Sequence, residues 1–272
     1  MARRRLDLEM VRRGLAESRE IAQSLIKSGK VLVSGSSALK PSRLVEASQP
    51  LHVTEPPPKY VSRAGRKLEA ALEAFEVDVN SSRCIDIGAS TGGFTDCLLQ
   101  NGAESVLAVD VGRGQIHERL VANQRVQVLE QTDVRSLVPE KVGAPFKVLT
   151  ADLAFISLRT VMGNLFPLAE KGSDMLLLVK PQFEAGKKAV DAGRGVIRDP
   201  EIWEEVLKSV QGSINAHDGA IMKCMPSPIK GSEGNVEFFL HVMPEEEQRQ
   251  LEISKVISLA IEQGEDLSLI HI

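Results

Sequence analysis

The sequence is poor in cysteine, in aromatic residues and in long apolar runs. Its 272 residues include three cysteines, Cys84, Cys97 and Cys224, which lie far apart and lack the spacing of metal ligands. No metal site is therefore predicted, and a reducing cytoplasm is the expected location. No run of about 18 apolar residues occurs, which argues against a membrane span. The basic start Met1-Ala-Arg-Arg-Arg5 is followed by no apolar block, which argues against a secretory signal.

The composition, with 43% apolar and 26% charged residues, is typical of a soluble protein. The length of 272 residues suits one large domain and a small one. The net charge of −4 is unevenly spread. Residues 1–59 hold 11 Lys/Arg and 6 Asp/Glu, a net of +5, whereas the rest of the chain has a net of −9. A basic front end on an acidic protein indicates contact with a polyanion, and a solvated basic face is the alternative interpretation.

The first 54 residues predict a small α+β domain. Leu6 to Arg13 forms a helix that Gly14 ends, and Ser18 caps a second helix that runs to Ser28. Because only 4% of all residues are aromatic, we expect this unit to bind the backbone and shape of folded RNA rather than unstacked bases. The basic side chains predicted to do so are Arg4, Arg12, Arg13, Arg19, Lys27 and Lys30.

A proline-rich stretch, Glu55-Pro-Pro-Pro-Lys59, predicts a stiff connector. We therefore predict a first domain at 1–54, a linker at 55–60 and a large domain at 61–245. A C-terminal helix opened by Pro244 is predicted at 246–266. The last six residues, 267–272, equal a translated transposon end used in sequencing libraries, so a sequencing or cloning scar is one interpretation of them.

From Cys84 onward, strand patterns alternate with helical patterns, which predicts a mostly parallel sheet covered on both faces. A final pair of strands could be antiparallel. The predicted strands are 84–87, 106–110, 126–130, 147–151, 175–180, 219–223 and 236–242. The predicted helices between them are 94–101, 114–122 and 158–169.

A glycine-rich turn follows the first of these strands, in Asp86-Ile-Gly-Ala-Ser-Thr-Gly-Gly-Phe94. Glycines there let the backbone approach a ligand closely at the carboxyl end of a strand. Asp110 ends the next strand, where its carboxylate could bind the hydroxyls of a ribose. The spacing Gly-x-x-x-Gly-Gly differs from that of dinucleotide-binding turns, so a nucleoside without phosphates is favoured, and S-adenosylmethionine is the commonest. Asp133 either holds an adenine amino group or caps a helix.

Four further side chains could carry chemistry. Asp152 ends a buried strand and requires a cationic partner. Lys180 follows five apolar residues, which favours a site role over a structural ion pair. Glu237 either faces the cleft or pairs across the sheet edge. Lys67 lies beside the apolar stripe of a helix and, taken alone, is interpreted as a surface lysine.

Two absences narrow the acceptor of such a cofactor. The sequence has no Asp/Asn-Pro-Pro-aromatic tetrapeptide, which disfavours methyl transfer to an amino nitrogen. It also has no cysteine near the predicted crevice, which disfavours methyl transfer to a base carbon. A hydroxyl acceptor remains. Lys180 as general base and Lys180 as the group that orients the hydroxyl are both open alternatives.

Two resemblances are carried by these motifs. Arg5 to Val33 resembles the small RNA-binding domain named after ribosomal protein S4, with Ser34 where that family usually has Asn. Nearly the whole chain, from Arg5 to about Val242, resembles the TlyA/haemolysin A group of ribosomal RNA 2′-O-methyltransferases, whose large domain is FtsJ-like. The motifs that carry this second resemblance are Tyr60-Val-Ser-Arg63 with Lys67, 86–96, 109–112, 152–158, 178–186 and 227–237.

The second resemblance implies a Rossmann-like, S-adenosylmethionine-dependent methyltransferase domain, with a seven-stranded sheet whose last strand is antiparallel. It also implies ribosomal subunits as partners and cytidines of 16S and 23S ribosomal RNA as acceptors. Ala64 and Ala154 stand where the group usually has Gly and Ser. The implied catalytic set is Lys67, Asp152, Lys180 and Glu237. The implied cofactor residues are Asp86, Gly88, Ser90, Gly92, Gly93, Phe94, Asp110 and Asp133. Arg63 and Arg66 are added to the predicted RNA-binding residues.

Other interpretations of the chain stay open. The glycine-rich basic segment 185–198 is either a flap that closes over RNA or an ordinary loop. As a whole, the chain could instead be a non-enzymatic RNA-binding or ribosome-assembly factor. A membrane-active haemolysin is disfavoured because the predicted amphipathic helix near the end is acidic. The sequence is compatible with a homodimer as well as with a monomer.

Overall fold

The structure is a computed structural model that describes residues 3–16, 18–54, 58–247 and 252–266. The chain divides into two compact units, Met1–Lys59 and Tyr60–Ile272. Three residues of the predicted linker, 55–57, and the predicted scar, 267–272, lie outside the described residues.

The first unit packs two helices against short antiparallel strands. Its core contains Leu6, Met10 and Ile26, all fully buried. The Ser18 side chain accepts a hydrogen bond from the Ile21 amide at 3.3 Å, so the predicted cap of the second helix is confirmed. β1 pairs with β4, and β2 lies between β3 and β5. The elements are β1 (Arg3–Arg5), α1 (Leu6–Arg12), α2 (Arg19–Lys27), β2 (Val31–Val33), β3 (Ser36–Ser37), β4 (Leu44–Glu46) and β5 (Leu51–Val53).

The second unit is built on a seven-stranded sheet. Its strands are β6 (Arg83–Ile87), β7 (Ser105–Val109), β8 (Val126–Leu129), β9 (Phe146–Ala151), β10 (Ala169–Val179), β11 (Gly219–Pro226) and β12 (Phe238–Pro244). They lie in the order β11-β12-β10-β9-β6-β7-β8, and β12 is antiparallel to both of its neighbours. The predicted Rossmann-like sheet, mostly parallel with an antiparallel last strand, is confirmed.

Helices cover both faces of this sheet. Successive residues of β6 face opposite sides, so Ile85 packs in one apolar cluster with Met162 and Trp203, while Cys84 packs in the other with Leu98. The helices are α3 (Ala64–Phe75), α4 (Gly93–Gln100), α5 (Glu118–Val121), α6 (Leu158–Leu165), α7 (Pro181–Glu184), α8 (Lys187–Ala192), α9 (Pro200–Asn215) and α10 (Ile253–Asp266). Short 3₁₀ turns occur at Val134–Ser136, Pro139–Lys141, Phe166–Leu168 and Ser232–Gly234.

Several elements differ from the sequence-based expectation, and the predicted helix 114–122 is limited to α5, Glu118–Val121. Helix α9 was not predicted, although the Asp199 side chain caps it by accepting from the Glu201 amide at 3.0 Å. Strand β10 begins at Ala169, where the predicted helix 158–169 should still run. The last helix begins at Ile253, not at Pro244, because Pro244 closes β12 opposite Gly219. A strand can end at proline, since its missing N–H is then not needed in the ladder.

Candidate active site

The glycine turn after β6 lies against the chain that leaves β9. Gly88 has a φ of +81°, and a Cβ placed on it would lie 2.5 Å from the carbonyl oxygen of Asp152. A side chain is therefore excluded by both backbone conformation and space. The ends of the two parallel strands open a crevice here, at the carboxyl edge of the sheet, as the sequence predicts.

Asp110 organises the next loop of this edge. Its Oδ2 accepts from the Ser90 amide and its Oδ1 from the Gly112 amide, each at 2.7 Å. A carboxylate has about four acceptor positions, so these two bonds leave it able to accept from two hydroxyl groups as well. Asp110 is 8% exposed, and that exposure is toward the crevice it lines.

A cavity of about 600 Å³ occupies the crevice, within the usual range for small-molecule sites. Of the predicted cofactor residues, Gly88, Ser90, Asp110 and Asp133 line it, and the predicted catalytic Asp152 does so too. The other lining residues were not predicted from the sequence: Ile87, Val109, Val111, Gln115, Thr132, Val134, Arg135, Leu153, Ala154, Phe155, Ile156 and Thr160.

Asp133 is a helix cap, as one of its two interpretations predicts, and its contact with an adenine amino group stays a prediction. It lines the cavity, and it caps the 3₁₀ turn that follows by accepting from the Arg135 amide at 2.8 Å. Its carboxylate also pairs with the Arg135 guanidinium at 2.6 Å. This hydrogen-bonded pair lowers the pKa of Asp133 to about 2, so the carboxylate is ionised at neutral pH.

The other predicted cofactor residues lie behind the cavity lining. Asp86 is fully buried, and its carboxylate accepts from the hydroxyls of Thr95 at 2.7 Å and Thr150 at 3.0 Å. Burial raises the pKa of Asp86 to about 6 against the lowering effect of these bonds. The carboxylate thereby joins β6, α4 and β9 beneath the turn.

Gly92, Gly93 and Phe94 are packing positions. A Cβ on Gly92 would lie 2.2 Å from the Leu120 side chain, and one on Gly93 would lie 2.2 Å from Ser62 Oγ. Phe94 is 2% exposed and packs against Phe239, with ring centroids 5.9 Å apart. Because of these close contacts, α4 begins directly against the surrounding side chains, and the glycine-rich turn before it is held in one conformation.

Two ion pairs contain the four predicted catalytic residues. Lys180 Nζ lies 2.6 Å from Asp152 Oδ1, and Lys67 Nζ lies 2.5 Å from Glu237 Oε2. Their side chains are 13% and 18% exposed in the first pair and 7% and 3% in the second. The interpretation of Lys67 as a surface lysine is wrong, because α3 directs it to a carboxylate 170 residues away.

Strand register brings the two pairs to one edge of the sheet. Asp152 directly follows β9, Lys180 directly follows β10, and Glu237 directly precedes the antiparallel β12. Because Val179 pairs with Phe238, Lys180 and Glu237 occupy adjacent positions where these strands meet the edge. Two cations and two carboxylates, whose formal charges cancel, thus lie at this edge of the sheet, and Asp152 lines the cavity.

Glu237 is tightly held by the loop that precedes its strand. A Cβ on Gly231 would lie 2.2 Å from Glu237 Oε1. The loop is closed by a hydrogen bond from the Gly231 amide to the Asn235 carbonyl at 2.8 Å. Glycine at this position lets the backbone pack directly on the carboxylate and limits where Glu237 can move.

A buried glutamate that sequence reasoning missed connects the loops after β9 and β10. Glu184, 6% exposed, accepts from Ser157 Oγ at 2.5 Å and from the Leu158 amide at 2.6 Å. It thus ties the helix after Lys180 to the start of α6. Its position four residues after Lys180 in Lys180-Pro-Gln-Phe-Glu184 was the available signal.

Two aromatic rings, one from each of the segments that follow β9 and β10, contact each other beside the cavity. Phe155 and Phe183 have centroids 5.2 Å apart, and Phe155 is 92% exposed with a φ of +64°. Non-glycine residues rarely adopt this left-handed conformation, which marks the loop after Asp152 as locally strained.

The segment 185–198, predicted to be a flap or a loop, contains helix α8. Its far end is anchored: the Asn235 side chain accepts from the Ile197 amide at 3.0 Å and donates to the Gly195 carbonyl at 2.9 Å. The predicted closure over RNA stays a prediction.

The predicted RNA-binding residues fall into two groups. Arg4, Arg12, Arg13 and Arg19 of the first unit make contacts with two buried carboxylates, Asp7 and Glu9. The side chains of Lys27, Arg63 and Arg66 are exposed, and Lys30 is half-buried. Arg63 and Arg66 lie at the start of α3, in the helix that also carries Lys67.

The cysteines lie in packing environments. Burial raises the pKa of the Cys84 and Cys224 thiols to about 12, so neither is a thiolate at neutral pH. Within the described ranges, no group of three or more His, Cys, Asp or Glu side chains is placed to hold a metal ion. No helix in the described part of the chain is long and apolar enough to cross a membrane.

Comparisons with known proteins give two matching regions. Residues 60–243 match the FtsJ-like methyltransferase family, and residues 4–50 match the S4 domain. The 16S/23S rRNA (cytidine-2′-O)-methyltransferase TlyA of Mycobacterium tuberculosis is 46% identical over 242 residues, which cover 88% of this chain and 90% of TlyA.

Two further proteins resemble most of the chain. Hemolysin A of Brachyspira hyodysenteriae is 37% identical over 87% of this chain and 98% of its own length. A solved structure from Streptococcus thermophilus has a TM-score of 0.76 at 34% identity, and the match covers 98% of this chain and 99% of that one.

Proposed function

Because the chain belongs to the FtsJ-like methyltransferase family and carries an S4 domain, we propose that it methylates ribose 2′-hydroxyls of cytidines in ribosomal RNA, using S-adenosylmethionine. The observation that carries this proposal is the placement of the Lys180–Asp152 and Lys67–Glu237 pairs at the sheet edge where Asp152 lines the cavity. The resemblances drawn from the sequence motifs, to S4 and to the TlyA group, are confirmed by the matches. An enzyme that acts on ribosomal subunits would work in the cytoplasm.

The cavity fits the methyl donor in its chemistry. Because Gly88 has no side chain, a ligand can come close to the backbone there. The free acceptor positions of Asp110 suit two ribose hydroxyls, and the ionised Asp133 suits an adenine amino group. When bound, S-adenosylmethionine supplies a methyl group already activated by a sulfonium, so the protein has chiefly to align the acceptor and manage its proton.

Lys180 and Asp152 are placed to handle the acceptor hydroxyl. Lys180 Nζ lies 2.6 Å from Asp152 Oδ1, where a lysine side chain can donate hydrogen bonds and stabilise charge that develops on the hydroxyl oxygen. The role proposed for Lys180 is therefore orientation of the hydroxyl. Asp152 is then the adjacent acceptor for the hydroxyl proton, while Lys67 and Glu237 hold the end of the neighbouring strand in place.

The test is methyl transfer to purified small and large ribosomal subunits that lack the modification, with S-adenosylmethionine labelled in its methyl group. A 2′-O-methyl group blocks the hydroxyl that attacks the phosphodiester, so label should appear in alkali-resistant dinucleotides that contain cytidine. Label in free nucleotides after alkali, carried by bases, would reject the ribose assignment. RNA binding without transfer would favour the assembly factor.

Lys180→Ala provides the residue-level prediction. We expect turnover to fall by about 100-fold or more, because a preorganised charged donor is lost, while the cofactor still binds in calorimetry. The matched control is Lys171→Ala at the other end of β10, where Lys171 is 73% exposed and pairs with Glu245 at 2.7 Å. Equal turnover in the two variants would remove Lys180 from the mechanism.

A further inference from the structure

The arginines of the first unit surround two carboxylates that are almost wholly buried. Asp7 is 0% and Glu9 is 1% exposed, and both lie in the first turn of α1. A buried carboxylate is costly unless it is paired and hydrogen-bonded. Acidic groups also repel the polyanion that this unit is proposed to bind, so their presence beneath its basic surface requires an explanation.

Asp7 holds two arginines from different elements. Arg5 approaches it with both ends of the guanidinium fork, Nε to Oδ1 at 3.0 Å and Nη2 to Oδ2 at 2.9 Å. Arg19, from α2, donates from Nε to Oδ2 at 3.1 Å. The side-chain amide of Gln23 donates a further hydrogen bond to Asp7 Oδ2 at 2.9 Å.

Glu9 holds a second set. Arg12 binds it through Nε at 2.8 Å and Nη2 at 2.6 Å, and Arg13 through Nε at 2.7 Å. Arg13 also donates to the carbonyls of Ala47 and Gln49, and is only 20% exposed. Arg4 lies 4.0 Å from the same carboxylate.

The pairing leaves much of each outer guanidinium available. A guanidinium has five N–H groups, and the fork that grips a carboxylate uses two of them. The side chains of Arg5, Arg12 and Arg19 remain 39%, 48% and 51% exposed. Each can bind a phosphate with its outer edge while its inner edge is held.

Both carboxylates are charged at neutral pH. The hydrogen bond from Arg5, with those from Gln23 and Arg19, holds the pKa of Asp7 far below its usual range. Hydrogen bonds from Arg12 and Arg13 lower the pKa of Glu9 to about 2. Five arginines against two carboxylates still leave a net positive surface.

We propose that Asp7 and Glu9 are positioning residues for RNA binding: Asp7 holds Arg5 and Arg19, and Glu9 holds Arg12, in two preformed sets, so that the side-chain entropy of ordering these arginines is lost on folding and not on binding. This inference rests on the proposed function, in which the unit binds ribosomal RNA. Removal of either carboxylate makes the unit more positive, so net charge alone predicts tighter RNA binding. The proposal predicts the opposite, weaker binding.

The first experiment compares the full chain with Asp7→Asn and Glu9→Gln in binding to purified ribosomal subunits. We expect the dissociation constant to rise about fivefold to tenfold in each variant, from the ordering cost of one or two arginine side chains. Glu20→Gln is the matched control, since Glu20 is exposed in the same unit and its change removes the same charge. Its binding should be unchanged or tighter.

A double-mutant cycle separates positioning from general stability. If Glu9 acts through Arg12, Glu9→Gln should weaken binding much less in an Arg12→Ala background than in the wild-type chain. Equal losses in both backgrounds would overturn the proposal, as would unchanged or tighter binding by both single variants. Wild-type protein that neither binds nor methylates the subunits would instead reject the proposed function.

A measurement on the wild-type chain avoids any variant that fails to fold. In the RNA-free protein, ¹⁵N relaxation of the arginine Nε–H groups should show Arg5, Arg12 and Arg19 nearly as ordered as the backbone. The exposed Arg43, for which the described residues show no carboxylate contact, should be mobile. Equal mobility of all four side chains would show that neither set is preformed.

Discussion

Replacing the buried Asp86 by asparagine should change how the stability of the second unit depends on pH. Burial raises the pKa of Asp86 to about 6, whereas the unfolded chain has a value near 3.8. Between these two values the native state holds a proton that the unfolded state has released, so stability falls as pH rises through this window. A shift of about two pKa units corresponds to about 3 kcal/mol, lost between about pH 4 and pH 6 and constant above it.

Asparagine at this position is uncharged at every pH and can still accept one hydrogen bond from Thr95 or Thr150. The free energy of unfolding of Asp86→Asn minus that of the wild type should therefore increase by about 3 kcal/mol between pH 4 and pH 7. Because the difference is taken at each pH, the titration of other groups cancels.

Urea unfolding followed by tryptophan fluorescence is the assay. Trp203 is the only tryptophan of the sequence and lies in the core of the second unit, 5% exposed, so it reports on this unit. Asp78→Asn, at an exposed position of the same unit, is the control for the change of charge. A difference between Asp86→Asn and wild type that stays constant from pH 4 to pH 7 would refute the assignment of a raised pKa.

Two glycine substitutions test the site directly. Gly88→Ala places a methyl group 2.5 Å from the Asp152 carbonyl at a φ of +81°, so cofactor affinity measured by calorimetry should fall by about tenfold or more. Gly172→Ala, with a φ of +64° in open space, should bind the cofactor like wild type, and equal losses would point to backbone strain alone. Gly231→Ala displaces the Glu237 carboxylate and should lower turnover by about tenfold with little change in cofactor affinity. Gly212→Ala in helix α9 meets no atom within 4 Å, so it should keep full turnover and add up to about 1 kcal/mol of stability; loss of turnover there would show that glycine substitution acts unspecifically.

Features that depend on neighbouring residues were predictable from the sequence. The alternation of strands and helices, the turn at Gly88 and the cap at Ser18 all follow from short patterns, and the structure has them. Helix α9 carried the same kind of signal, in the Asp199-Pro200 start and the spacing of its apolar residues, and was overlooked.

Contacts between distant residues were not predictable in this way. Lys67 looked like a surface lysine because helical spacing cannot reveal a partner 170 residues further along the chain. Glu184 gave only a weak local signal, since its role depends on the amide and hydroxyl groups of a different loop. The structure likewise had to show that Asp133 both caps a 3₁₀ turn and lines the cavity, because these features involve separate loops.

We expect the charge balance of the sheet edge that carries Lys67, Asp152, Lys180 and Glu237 to separate capture of the RNA from the proposed methyl transfer. Two ammonium groups and two carboxylates cancel, so this edge exerts little long-range pull on a phosphate backbone. The net attraction must come from the arginine-rich first unit, whose long-range field is screened by salt. We therefore expect ionic strength to change the rate at which RNA associates with the protein. The rate of methyl transfer after docking should depend little on salt, because it depends on groups in short-range contact.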